Sequence, residues 1–380
     1  MVNSASAASL ANIDRLRRLM DQHDLSAVIA RSGVNFTYLS GVAYAGTLAR
    51  HLDLAESPRP VFVVWPRSGE PVLIVNPLAE AITRRDSWIK RVIVYASYTE
   101  QPLDKLCDAL RELGVTDGRV GFEEGYFSAA QCHALKAAFP RMQLVESSRM
   151  LAQVRSIKTP GEIALFKQSA DLLDDAFLEV YASIEPGETE CSVHSRMVAS
   201  CLRRGATFAH GWMACGRNAV PAGGQSDVPF LAGDVVRTDY VAYLRGYPGH
   251  ASRNAVLGTP SAQQLQTYRK VRDVYLGAIE RCRPGVAAGE VYQYVSERFA
   301  AAGLRFKGQL VGHGVDCWWH QQEPIFARDS KARIKENMVI ALEPGVDEWV
   351  TQDMFAVTAS GPRLLSDKFR TDELYVIPSC

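Results

Sequence analysis

The sequence predicts an α/β (α+β) chain of two domains, the first over residues 1–154 and the second over 155–380. Three observations predict it. Short apolar, β-branched runs alternate with helical stretches in the first part. A turn-and-cap sequence interrupts the chain near residue 155. A helix, Pro-Gly break, helix arrangement then occurs twice, 98 residues apart. A length of 380 residues suits one large or two medium domains, and a hydrophobic fraction of 47% is ample to fill their cores.

The elements follow in order. Leu10, Ile13, Leu16, Leu19 and Met20 fall on one side of a helix over residues 9–24, with Arg15, Arg17, Arg18 and Asp21 elsewhere. Apolar runs at Ala27–Ala30, Val61–Trp65, Val72–Val75, Val92–Tyr95 and Val120–Phe122 read as strands. Helical stretches near Leu103–Leu113 and Ala129–Ala138 separate some of them, which suggests a mixed sheet. Between Arg155 and Glu162, Pro160 and Gly161 are turn residues. Thr159 with Glu162 forms a capping-box pattern with Pro at the first helical position. The helix started there runs to about Ser183, and Ile184-Glu-Pro-Gly-Glu-Thr-Glu190 breaks it and starts another. Cys282-Arg-Pro-Gly-Val-Ala-Ala-Gly-Glu290 repeats the break, which implies two related halves in the second domain.

Composition excludes several classes. The 42 basic and 42 acidic residues cancel, so no global field points to nucleic acid or a membrane surface. No apolar run approaches the roughly 18 residues of a spanning helix, and the N-terminus does not read as a signal peptide. Eight scattered cysteines without a CxxC pair fit reduced thiols and a cytoplasmic setting. Cys317, between two histidines, is either a nucleophile or a small buried apolar residue.

The chemistry lies in four stretches of the second domain: GDVVRTDYVAYLRGYPGHASRN (233–254), GHGVDCWWHQQEP (312–324), ALEPG (341–345) and VTQDMFAVTASG (350–361). The first reads as two strands joined by a tight turn. Asp239 on one and His250 on the other, eleven residues on, can then reach one cavity. Glu343 precedes a Pro-Gly turn, as a ligand at a strand end would.

With NFTYLSG at 35–41, RSIKTPGEI at 155–163, the duplicated Pro-Gly break, and GHG followed by His320 seven residues after His313, the whole chain resembles the pita-bread superfamily of creatinase, aminopeptidase P, prolidase and methionine aminopeptidase. The resemblance implies a creatinase-type N-terminal domain, a pita-bread catalytic domain and a homodimer. It also implies a two-metal site with Asp at 239, Asp at 250, His at 313, Glu at 343 and Glu at 352, and a further histidine at 222. Here position 250 is His, 352 is Gln and 222 is Ala. His320 is retained where the family has a histidine lining the substrate site.

Charge decides what these departures mean. Asp239 and Glu343 supply two negative charges, and two dications would be left under-neutralised, at a cost in a partly buried site. One divalent ion (manganese, iron, cobalt or zinc) on Asp239, His250, His313 and Glu343 is reasonable, as is none. Without a metal, His313 and His320 become the acid–base candidates, with Asp239 and Glu343 orienting an imidazole or gripping a cation. Trp318 and Trp319 are expected to face substrate, and an aromatic wall suits a cationic group. His210, Tyr240, Gln352 and Asp353 are further expected substrate contacts. The leading expectation is a creatinase-like or ectoine-hydrolase-like enzyme that cleaves a C–N bond in a small zwitterion or cation. The alternatives are a metal-dependent Xaa-Pro peptidase, a lyase acting on a small carboxylate substrate, and a non-catalytic binder.

Overall fold

The computed structural model describes residues 10–31, 33–44, 59–218 and 226–378. The chain divides into two compact units, Met1–Glu162 and Ile163–Cys380.

The first unit is built on one mixed sheet of six strands: β1 (Ala27–Ala30), β2 (Phe62–Pro66), β3 (Val72–Val75), β4 (Arg91–Val94), β5 (Gly118–Phe122) and β6 (Met142–Glu146), in the order β4-β3-β2-β1-β5-β6. The pairs β1–β2 and β2–β3 are antiparallel, and the others are parallel. Strands β1, β2 and β3 are buried throughout, as near-continuous Val/Ile/Leu runs covered on both faces should be. Helices α1 (Ile13–Gln22), α2 (Gly33–Ser40), α3 (Pro77–Asp86), α4 (Pro102–Glu112), α5 (Ala129–Ala138) and α6 (Ser148–Ser156) complete it. The motif NFTYLSG lies on α2 and its C-terminal end, where the fully buried Phe36 and Leu39 explain its apolar content.

Helix α7 (Pro160–Tyr181) begins with the expected box: the Thr159 amide donates to Glu162 Oε2 at 2.8 Å, and the Glu162 amide donates to Thr159 Oγ1 at 3.2 Å. Helix α8 (Glu190–Arg203) follows the first Pro-Gly break. Strands β7 (Phe208–Cys215), β8 (Val235–Leu244), β9 (Tyr247–Ala251) and β10 (Asn254–Leu257) come next. In the second half, α9 (Ala262–Ile279) and α10 (Ala288–Ala301) precede β11 (Leu310–Asp316), β12 (Trp319–Ala327), β13 (Val339–Leu342), β14 (Gly345–Val346), β15 (Trp349–Val350), β16 (Asp353–Thr358) and β17 (Gly361–Leu364). Strand β18 (Tyr375–Ile377) returns to the first half's sheet.

The duplication extends to hydrogen bonds. After the first break the Gly187 amide donates to the Phe230 carbonyl at 2.7 Å, and Thr189 bridges Pro229. After the second, the Gly285 amide donates to the Ile334 carbonyl at 2.8 Å, and Ala287 bridges Arg333. Each half is thus a helix pair pinned by its Pro-Gly corner to its own sheet, β18-β10-β8-β7 with β9 on β8, antiparallel except for the parallel β10–β18 pair, and the antiparallel β12-β11-β13-β16-β17. The expected α/β architecture with a pita-bread second domain is what the structure has.

A buried ion cluster fixes the segment between β15 and β16. Arg253, fully buried, lies 2.8 Å from Asp174 and 2.8 Å from Asp353, and its Nη1 donates to the Gln352 carbonyl at 2.5 Å. Tyr275 donates its hydroxyl to Asp353. Removing one partner from such a cluster costs about 3–5 kcal/mol, because the other charge stays buried.

Candidate active site

Strand β8 alternates with period two, so Arg237, Asp239, Val241 and Tyr243 share one face and Tyr240 points the other way. The β8–β9 turn at Arg245 and Gly246 has φ of 53° and 83°, which matches the right-handed twist of a tight hairpin. It sets His250 opposite Val241 and therefore diagonal to Asp239 on the same face. His250 Nε2 lies 3.0 Å from Asp239 Oδ1.

His313 is flanked by two glycines for a steric reason. A Cβ on Gly312 would lie 2.6 Å from the Ala341 carbonyl oxygen, and one on Gly314 would lie 2.4 Å from that of Glu323. Only glycine lets β11 run this close to β13 and β12. His313 Nδ1 donates to the Gly314 carbonyl at 3.0 Å, which leaves the Nε2 lone pair facing Glu343 Oε1, 3.8 Å away. The Glu343 amide in turn donates to the Val311 carbonyl at 2.8 Å.

His250, His313 and Glu343 bring their ligand atoms within 4.8 Å of one another. Asp239 is not one of this group. It stands 3.0 Å from His250 Nε2, beside the group and not within it. The His250 and His313 rings stack at 5.3 Å between centroids, His320 meets His250 edge-on at 4.8 Å, and His210 lies 5.6 Å from His320.

Gln352 belongs to the cluster. Its Oε1 accepts from Ser252 Oγ at 2.7 Å, and its Nε2 lies 3.0 Å from His250 Nδ1. With the amide donating to Nδ1, the His250 proton sits on Nε2 and is donated to Asp239. Ligation through Nε2 requires that proton on Nδ1 and the Gln352 amide oxygen turned toward it.

Burial sets the electrostatics. It pulls the His313 imidazole down to about 3, aided by the neighbouring His250 charge, and His320 likewise to about 3. Burial also pushes the Glu343 carboxyl up to about 7, and Asp239 adds to the rise. Burial pushes Asp239 up as well, but its hydrogen bond to His250 and the charges of His250, His320 and His313 outweigh this and hold its carboxyl low. Asp239 keeps 33% of its side chain open, and Glu343 20%, although protein surrounds both.

These shifts predict a pH dependence for the metal-free protein. In the unfolded chain the two histidines take protons near 6.5, whereas in the folded chain they do so only near 3. Across that window the unfolded state holds more protons, so stability rises with pH and is lost on acidification. Glu343 works oppositely: between its ordinary value and about 7 the folded state holds the extra proton, and stability falls as pH rises. Two histidines against one carboxyl leave stability rising with pH where all three act, and rising more steeply nearer pH 3–4, below the range of the Glu343 effect. Chemical unfolding at pH 4 and 6.5 of wild type and of His313→Asn with His320→Asn checks this. The variant should lose most of the histidine slope, and equal slopes would refute the assignment.

Three of the expected substrate contacts find different places, and Cys317 takes the buried place that one of its two readings gives it. Tyr240 is fully buried on the opposite face of β8, where its hydroxyl meets His194 Nδ1 at 2.7 Å and its ring packs on Phe177. It does not line the cavity, because neighbours along a strand alternate faces. Asp353 is spent on Arg253 and Tyr275, so Gln352 and not Asp353 faces the imidazoles. Trp318 is 3% exposed and stacks on Tyr243 at 5.5 Å, behind the cavity wall. Cys317 is fully buried. The Trp319 side chain and Ala222 lie outside the described residues. His210 and His320 lie side by side, 5.6 Å between ring centroids, with Tyr243 Oη 3.4 Å from His320 Nδ1. Ser252 and Tyr243 stand in this cluster without being singled out by the motifs alone, and the two-residue periodicity of β8 is the signal that finds Tyr243.

A duplicated second unit with a histidine–carboxylate cluster between its sheets, preceded by an α/β unit, defines a two-domain hydrolase of the pita-bread type. Residues 164–361 match the model for metallopeptidase family M24, and residues 12–157 match the creatinase/prolidase N-terminal domain. The chain belongs to metallopeptidase family M24. It is 25% identical to the uncharacterized peptidase YqhT of Bacillus subtilis over 93% of this chain and 97% of that one. It is 24% identical to an Xaa-Pro dipeptidase of Pyrococcus furiosus over 88% and 90%. The X-Pro aminopeptidase structure from Thermotoga maritima superposes with a TM-score of 0.81 at 19% identity, covering 95% of this chain and all (100%) of the other. Among the described residues no helix is long and apolar enough to cross a membrane.

The donor set fits a divalent ion. The His313 imidazole is held neutral with its lone pair aimed inward by a backbone carbonyl, His250 adds a second ring nitrogen, and a cation beside Glu343 would favour the carboxylate that burial disfavours. His₂Glu is a common donor set for zinc and its neighbours.

Proposed function

We propose that this hydrolase is a metal-dependent peptidase acting on the Xaa-Pro bond of a short peptide. Its single divalent ion (manganese, iron, cobalt or zinc) would be held by His250, His313 and Glu343. The convergence of those three ligand atoms within 4.8 Å carries the reading, and the peptidases among its full-length relatives support it. A divalent ion held there supplies Lewis acidity, acidifying water and polarising a carbonyl oxygen.

The protein's own groups do the rest. Asp239, held as a carboxylate and open to the cavity, accepts the substrate's ammonium. With the Tyr243 hydroxyl donating to Nδ1, His320 keeps its proton on Nε2 and donates it as a hydrogen bond where negative charge grows on the attacked carbonyl oxygen. His210 walls the cavity beside it.

Metal-free acid–base cleavage of a zwitterion is the weaker reading. His313 and His320, held at about 3, are neutral imidazoles near neutrality, so neither supplies an imidazolium proton to a leaving amine. Elemental analysis of protein purified without chelator should find one ion per chain. EDTA should abolish hydrolysis of Ala-Pro or Met-Pro, and manganese or cobalt should restore it. Hydrolysis of a non-peptide zwitterion that survives EDTA, with no action on Xaa-Pro peptides, would overturn the proposal.

A further inference from the structure

The first unit carries a cleft of about 500 Å³. Trp65 of β2 and Trp88, two residues beyond α3, line it, together with Asp14 and Arg17 of α1 and Glu70 of the β2–β3 turn. Trp65 is 5% exposed and Trp88 half-buried. Both are held in place. Trp65 pairs with Val28 across β1–β2. Trp88 lies against Gly41, where an added Cβ would stand 2.5 Å from its Cζ3, and a φ of 77° favours glycine there as well. Ser87 Oγ donates to the Ser40 carbonyl at 2.7 Å and ties the backbone beside Trp88 to the same turn. The glycine that closes NFTYLSG is therefore the seat of Trp88.

These two indoles differ from the other tryptophans whose side chains are described. Trp212 lies under the Arg237 guanidinium, Trp318 stacks on Tyr243, and Trp349 meets Tyr268 edge-on. Among the described residues, Trp65 and Trp88 have no ring or cation against them and no side-chain hydrogen bond. Asp14 and Glu70 are exposed, and neither has an ion-pair partner there. Two carboxylates against one guanidinium give the lining a net charge of −1.

Ordinary roles account for less. Asp14 in the first turn of α1 suits the helix's own amides, but Asn12 already caps them, accepting from the Arg15 amide at 3.2 Å. That role leaves Glu70 and the two uncovered indoles without a use. A metal ion is not the match either. Among the described residues, Asp14 and Glu70 do not converge with a third ligand as His250, His313 and Glu343 do. Indole surface flanked by carboxylates suits a cation that also carries apolar area.

We infer that this cleft is a second binding site, for a small organic cation of the alkylammonium class. The indoles meet its alkyl groups, over which the charge is spread, and Asp14 and Glu70 balance that charge. The net negative lining selects a cation over a zwitterion. The site lies within the first unit and does not depend on the peptidase reading.

The test titrates choline into the full-length protein and follows the indole N–H signals by NMR, assigned with Trp65→Phe and Trp88→Phe. The control ligand is the tert-butyl alcohol analogue of choline, which has its shape without its charge. Choline should shift the Trp65 and Trp88 signals to saturation, and the neutral analogue should bind about tenfold more weakly or worse. Asp14→Asn with Glu70→Gln should weaken choline about 3- to 10-fold and leave the analogue within about twofold. Trp65 reaches into the core, so this exposed double variant decides the case if Trp65→Phe does not fold. Glycine betaine, a zwitterion with the same methylated head, should bind more weakly than choline. Equal binding of choline and its neutral analogue, betaine ahead of choline, no saturable shift at either indole, or a double variant that binds choline like wild type would each overturn the inference.

Discussion

His313→Ala should leave the protein folded, drop its metal content from one ion per chain to near none, and lower kcat/KM on an Xaa-Pro dipeptide by about a thousandfold or more. The size follows from what His313 alone supplies. Its Nδ1 is tied to the Gly314 carbonyl, so the remaining lone pair has one direction, toward Glu343. Neither His250 nor Glu343 can replace it, and two donors do not hold a divalent ion against water. A thousandfold loss corresponds to about 4 kcal/mol of transition-state stabilisation. Asp239→Asn removes the carboxylate 3.0 Å from His250 Nε2, so it should weaken metal affinity by about 10- to 100-fold and leave stoichiometry at one in excess metal. Elemental analysis, metal titration and steady-state kinetics on the two variants separate these cases. A fully active, metal-loaded His313→Ala would remove the triad from the mechanism.

Much of this site is legible in the sequence because it depends on local chemistry. The Thr159–Glu162 box, the Arg245–Gly246 turn and the glycines around His313 each specify backbone within a few residues. The eleven-residue spacing of Asp239 and His250 is a hairpin with a two-residue loop, so their meeting follows from period-two geometry. What local pattern does not carry is which of two neighbours faces the cavity. Asp239 and Tyr240 must point apart, and placing Asp239 in the site excludes Tyr240 from it. Gln352 and Asp353 cannot be sorted this way. Asp353 is claimed by Arg253, a hundred residues earlier, and by Tyr275 on α9. Trp318 departs from its expected place for a similar reason. Its backbone turns through φ of 53° and seats the ring on Tyr243 of another hairpin.

The number of ions is a question of charge, and it can be changed by substitution. In place of the family's Asp and Glu stand His250 and Gln352, neither of which brings a negative charge: the Gln352 amide lies at 3.0 Å from the ring and is itself fixed by Ser252 at 2.7 Å. The anionic charge facing the cavity is then that of Asp239 and Glu343, enough for one dication and half of what two require. The double substitution His250→Asp with Gln352→Glu brings the count to four carboxylates. It should therefore raise metal content from one to two ions per chain in the presence of excess manganese or cobalt. Gln352→Glu alone should stay at one, because His250 remains between the new carboxylate and Asp239. The metal-free double variant should also be markedly less stable than wild type, since four buried carboxylates repel and lose solvation with no cation among them. Its melting temperature should climb steeply with added metal, by mass action on the folded state. Elemental analysis and thermal unfolding with and without metal read both effects. A double variant that folds, binds one ion and melts like wild type would show that cavity shape, and not charge, holds this site to a single metal.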